Sequence, residues 1–125
     1  MPKLQLASVA VYVRDRKAAA TWYEEKLGAK IVSNDPEHWT TVRIGGRSTP
    51  EIHLCEKGES PLVPEADFGE SGILLLVAGT VKAAHRELSA KGVQFVHPPE
   101  KAPWGWFAKF RDLDGNELWL MPRPS

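Results

Sequence analysis

The chain has 125 residues, 42% of them apolar and 26% charged, with 16 Lys and Arg against 16 Asp and Glu. That length suits one globular domain with its own core, and the balanced charge, without a basic block, argues against a nucleic-acid partner. A single cysteine, Cys55, excludes an internal disulfide. No apolar run is long enough to span a membrane and the first residues lack the order of a secretory signal, so the expected location is the cytoplasm.

Residues 4–13, LQLASVAVYV, are rich in β-branched side chains and read as a buried strand. Asp15 stands where a helix N-cap is expected. In RKAAATWYEEKLG the residues Ala19, Trp22, Tyr23 and Leu27 share one helical face, and Gly28 suits the position after the helix end. AKIVS and HWTTVRI read as strands, GGRSTP as a turn and EIHLCE as a fourth strand. Residues 57–69 carry prolines, glycines and charges and read as a linker. GILLLVA is an apolar strand. Thr80 is placed to cap the helix VKAAHRELSAKG, which Gly92 ends. VQFVH, WGWFAKFRD and NELWLMP complete the strands, with Asp114-Gly115 as the hairpin signal between the last two.

The second series repeats the first. Ala19-Ala20 matches Ala83-Ala84, Gly28 matches Gly92, and Ile31-Val32 matches Phe95-Val96, all at a spacing of 64 residues. Glu51-Ile52-His53-Leu54 matches Glu117-Leu118-Trp119-Leu120 after a two-residue insertion. The expected fold is therefore α+β, built from two tandem βαβββ modules, 1–56 and 70–125, joined by the linker 57–69. A half of about 60 residues buries too little surface to stand comfortably alone.

VRD before the first helix, WYEEKLGAKIV across its end and PWG…FRDLDGNELWL at the close resemble the vicinal oxygen chelate superfamily: the glyoxalases, bleomycin-resistance proteins and extradiol dioxygenases. The resemblance covers nearly the whole chain. It implies two modules forming a shared cleft. In the enzymes it implies a divalent metal held by inward His and Glu side chains, which stabilises an enolate-like charge on the substrate. Carried over position by position, the four donor places fall on Ser8, His53, Ile73 and Trp119. Only His53 is a good metal ligand, and one imidazole with one hydroxyl would not hold Zn²⁺ or its neighbours firmly.

Strand alternation puts Val9, Val11, Val13, Ile52, Leu54, Leu118 and Leu120 toward the helices and Ser8, His53 and Trp119 on the other face. Tyr12, Leu75 and Val77 share that inward parity, with Arg43 and Lys109 as charged members. The expected ligand-binding set is Trp39, His53, Trp104, Trp106, Trp119, Tyr12 and Lys109. These aromatics would hold a planar or hydrophobic molecule by stacking. Asp112-Leu113-Asp114-Gly115-Asn116 mimics the start of a calcium loop but lacks its later Gly and Glu, so it reads as a hairpin. Cys55 has no identifiable adjacent base, and no Ser-His-Asp arrangement emerges.

The expected function is metal-independent binding of a small aromatic or hydrophobic molecule, with no cofactor and no catalytic residues. The resemblance to the metal-free bleomycin-resistance branch implies antibiotic sequestration by a homodimer. The neutral charge of the chain departs from what a cationic drug would favour. The alternative is a metal-dependent lyase, isomerase or dioxygenase with an atypical ligand set of His53, Glu51 and Glu117. The expected partners are a small-molecule ligand and a second copy of the chain, without nucleic acid or membrane.

Overall fold

The elements run β1 (Ser8–Val13), α1 (Arg16–Leu27), β2 (Lys30–Asn34), β3 (Thr40–Arg43), β4 (Glu51–Glu56), β5 (Ile73–Val77), α2 (Val81–Ala90), β6 (Phe95–Ala102), β7 (Gly105–Arg111) and β8 (Glu117–Met121). They belong to a computed structural model that describes residues 3–4, 6–34, 40–56 and 73–122. The βαβββ pattern occurs twice, as the sequence repeat predicts, in two compact units, Met1–Asp67 and Phe68–Ser125. Each forms a four-stranded mixed sheet, ordered β1-β4-β3-β2 in the first unit and β5-β8-β7-β6 in the second. The stretch read as a linker lies outside the described residues.

Local chemistry accounts for the helix ends. The Asp15 carboxylate accepts from the amides of Lys17 at 3.0 Å and Ala18 at 3.2 Å, satisfying two donors that the first turn leaves open. Gly28 closes α1 at φ 69°, and its amide donates to the Glu24 carbonyl. The face of α1 that is buried comprises Ala19, Ala20 and Tyr23, so the helix approaches its sheet through small side chains and one large ring. Trp22 is only half-buried and meets Tyr23 edge-on at 5.3 Å. Thr80 precedes α2 in an extended conformation without a side-chain capping bond, so this helix start lacks the reinforcement that Asp15 gives the other.

Each helix covers one face of its own sheet: α1 packs on β2, β3 and β4, and α2 on β6, β7 and β8. Period-two alternation supplies the cores. Val11, Val13, Val42, Ile52 and Leu54 are buried in the first unit, and Ala108, Phe110, Leu118 and Leu120 in the second. Phe95 of β6 joins the second core against Phe110 at 5.2 Å and against His85 of α2 at 4.5 Å.

Two strands differ from the sequence expectation. β1 begins at Ser8 rather than residue 4, and Leu4 and Leu6 are exposed. β6 outruns VQFVH and continues through Pro98 and Pro99 to Ala102. It is an edge strand, so missing amide donors are tolerated, and its register with β7 shifts around the prolines.

The β7–β8 hairpin rests on Asp112. One carboxylate oxygen accepts from the amides of Asp114 at 2.9 Å and Asn116 at 2.8 Å, and the other from the Asn116 side chain at 2.9 Å. Gly115 supplies the left-handed residue at φ 87°. The Asp-Gly signal marks the turn, while the residue that ties it lies two positions earlier.

Candidate functional site

The two sheets repeat one register. In the first unit His53 stands between Ala10 of β1 and Thr41 of β3. In the second, Trp119 stands between Leu75 of β5 and Lys109 of β7. His53 and Trp119 thus hold the same structural place, on the face turned from the helix, as the sequence repeat requires.

In the second unit that face is aromatic. Trp119 and Phe107 stack at 5.9 Å between ring centroids, 27° from parallel. Trp104 tilts against Phe107 at 5.5 Å, and His97 stacks on Phe107 at 5.1 Å. Alternation explains the cluster, because Phe107 and Lys109 share one side of β7, while Trp119 and Glu117 share the matching side of β8. Leu75 and Val77 of β5 extend the surface and are 58% and 54% exposed. Trp104 is 52% exposed, an unusual condition for an indole without a partner molecule.

Polar groups frame these rings. The Trp119 indole N–H donates to Glu117 Oε1 at 2.8 Å, which sets the ring's orientation. Lys109 Nζ lies 4.2 Å from the centroid of Trp119 and 4.0 Å from the same Glu117 oxygen. His97 Nδ1 lies 2.8 Å from the Pro98 carbonyl oxygen, which can only accept, so in this contact Nδ1 carries the hydrogen and donates; Nε2 lies 3.7 Å from Glu100.

Trp104 sits in the two-residue turn between β6 and β7, since Ala102 pairs with Gly105. Gly105 has φ 133°, and a Cβ there would stand 3.0 Å from Pro122 Cγ. Only glycine fits this corner, so the turn geometry holds Trp104 beside Phe107.

Of the expected ligand-binding residues, the structure brings together Trp104, Trp119 and Lys109. It does not bring Trp106 to them. That ring shares the parity of Ala108 and Phe110, on the face that carries α2, and Lys82 Nζ lies 4.1 Å from its centroid. Flanking one glycine with Trp104 does not place two rings on one side, because one is in the turn and the other is inside the strand. Tyr12 and His53 belong to the first unit, on the face turned from α1. Trp39 lies outside the described residues. Phe107 and His97 were absent from the sequence-based set. The parity of Lys109 and Trp119 points to Phe107, whereas His97 joins only through the register shift beside the prolines.

The residues present do not fit the metal of the superfamily's enzymes. Ser8 is exposed, Ile73 offers only hydrocarbon, and the one nitrogen of the Trp119 ring donates its hydrogen to Glu117. Glu117 is thereby committed within its own sheet, also to Lys109. Among the described residues no three His, Cys, Asp or Glu side chains lie close enough to hold a metal ion. No helix among them is long and apolar enough to cross a membrane.

Residues 5–120 match the Glyoxalase/Bleomycin resistance protein/Dioxygenase superfamily. The uncharacterized protein YetH of Bacillus subtilis (strain 168) is 29% identical over 123 residues, covering 93% of this chain and 96% of that protein. A solved member of the same superfamily from Sphaerobacter thermophilus DSM 20745 superposes with a TM-score of 0.83 at 26% identity, over 97% of this chain and 98% of its own. TnmS3, an antibiotic binding protein from Streptomyces sp. CB03234, superposes with a TM-score of 0.81 at 28% identity, over 99% of each chain.

Proposed function

The chain belongs to the glyoxalase/bleomycin resistance protein/dioxygenase superfamily, and on that premise we propose that it binds a planar aromatic or hydrophobic small molecule without a metal, as an antibiotic-sequestering protein. The observation that carries this reading is the Trp104–Phe107–Trp119 surface on the face of the second sheet turned from α2. An indole occupies the place where an enzyme of the superfamily would present a carboxylate. Two near-parallel rings offer a ligand a stacking platform, worth about 0.5–1.5 kcal/mol per aromatic pair beyond the area buried. Leu75 and Val77 add apolar surface beside it. The likeness to TnmS3, described as an antibiotic binding protein, supports the same reading.

Titration with planar aromatic antibiotics, followed by tryptophan emission, tests it. Saturable quenching that is unchanged by a strong chelator is expected, since the indoles form the surface and no ligand atom would need a metal. Expression of the protein should also protect a sensitive host from the compound that binds. Loss of binding on chelation, with one divalent ion per chain in protein purified without chelator, would sink the metal-free reading.

A further inference from the structure

We propose that Lys109 makes this aromatic face selective for planar molecules bearing an anionic group, such as a carboxylate, over cationic ones. The inference rests on the aromatic-ligand reading above and names the class of ligand within it.

The position over the rings is already taken by a cation. Lys109 Nζ lies 4.2 Å from the Trp119 centroid and 6.0 Å from that of Phe107. The negative ring faces therefore already have their cation. A ligand ammonium laid on the same rings would gain little from them. It would also meet a like charge a few ångströms away, where partial burial strengthens repulsion over its value in water.

Glu117 pairs with this ammonium only at long range. Its Oε1 accepts the Trp119 indole N–H at 2.8 Å, and Lys109 reaches that same oxygen only at 4.0 Å. This is the one carboxylate contact of Lys109 among the described residues. The Lys109 side chain keeps 28% of its surface exposed, which leaves a path from solvent for an incoming oxygen. The other charges nearby do not reverse the sign. Arg111 pairs in register with Glu117, and Glu100, with its side chain 62% exposed, stands at the edge strand beside His97. The chain as a whole is neutral, so any selectivity is local to this face rather than steered from a distance.

The fold itself does not demand a cation at this place. The corresponding position of the first unit, paired with His53, is Thr41. A strand residue of quite different chemistry is thus compatible with the architecture.

Three matched probes test the proposal by isothermal titration calorimetry: 9-anthracenecarboxylate, protonated 9-(aminomethyl)anthracene and neutral 9-anthracenemethanol. For the wild type the carboxylate should bind about tenfold or more tighter than the ammonium, and the gap should narrow in high salt. In Lys109→Met the ratio of the two affinities should fall to about twofold or less, because charge is lost while the apolar stem is kept. Lys109→Thr, which installs the residue of the first unit, gives the same comparison should the methionine variant not fold. Equal binding of the charged probes alongside binding of the neutral one would overturn the selectivity and leave the aromatic reading standing. A preference that survives both substitutions would overturn the assignment to Lys109. Binding of none of the three would overturn the selectivity together with the reading beneath it.

Discussion

Trp119 shows how one side chain separates architecture from use. Its neighbours Leu118 and Leu120 are buried beneath α2, while the indole itself is half-buried on the opposite face, held by Glu117 and Lys109. A core ring would cost roughly 3–5 kcal/mol of stability on truncation. A ring that serves as a binding anchor costs affinity instead. Trp119→Ala should melt close to the wild type and bind an aromatic ligand about 1–3 kcal/mol more weakly. Trp106→Ala is the matched control: it loses its contact with Lys82 on the helix side and should retain ligand affinity. Thermal melts and binding titrations on the two variants check this. An unfolded Trp119→Ala protein beside a Trp106→Ala protein that binds poorly would invert the assignment.

At the scale of elements, the β6–β7 hairpin carries the most specific constraint. Its two-residue turn places Trp104 over Phe107, and Gly105 makes the turn possible with φ 133° and no Cβ to meet Pro122. Gly105→Ala imposes both a backbone conformation that L-residues avoid and a contact at 3.0 Å from a proline ring. It should lower stability by about 1–3 kcal/mol, as other strained backbone positions do. Aromatic binding should weaken with it, because the turn no longer presents Trp104. Urea denaturation measures the first effect and fluorescence titration the second; a wild-type midpoint would show that the corner has slack. The second hairpin is tied differently, by the Asp112 carboxylate and its three buried hydrogen bonds. That brace fixes where Glu117 and Trp119 leave the turn, so a structural carboxylate sets the register of the functional face.

At the scale of the molecule, each sheet has two edge strands among the described residues, β1 and β2 in the first unit and β5 and β6 in the second. Leu75 and Val77 stand more than half exposed on β5. Apolar side chains clustered on an edge strand are a liability unless something covers them. The homodimer that the family resemblance implies would cover such surface with a second copy. Sedimentation equilibrium at micromolar concentration should show a species of twice the 13.9 kDa chain mass. A monomer across that range would overturn that expectation. A ligand bound only by the native state should also raise the melting temperature in proportion to the logarithm of its concentration.

The order of elements, the duplication, both helices and most of the core-facing side chains were legible in the sequence, because each follows from local periodicity and from capping or turn residues whose partners are a few positions away; Val9, Trp22 and Leu27, expected inside, are only partly buried. Asp15, Gly28 and the alternation around Leu118 needed no tertiary information. That two of the four donor places implied by the resemblance, Ile73 and Trp119, carry no donor for a metal was legible too. The membership of the aromatic group was legible only in part: Trp104 and Trp119 were expected, while Trp106 was placed with them wrongly and Phe107 and His97 were missed. Which side of β7 carries Trp106 and which carries Phe107 depends on where the strand begins after the turn. Whether His97 joins them depends on the register shift at Pro98 and Pro99 in an edge strand. Lys109 reads in sequence as a charged member of the inward face and of the expected ligand-binding set, without a partner assigned to it. Only strand pairing sets it opposite Trp119, against the ring and beside a carboxylate already engaged by the indole. Periodicity assigns a residue to a face, but neighbours on that face come from different strands, and only the hydrogen-bonded register of the sheet decides which of them meet.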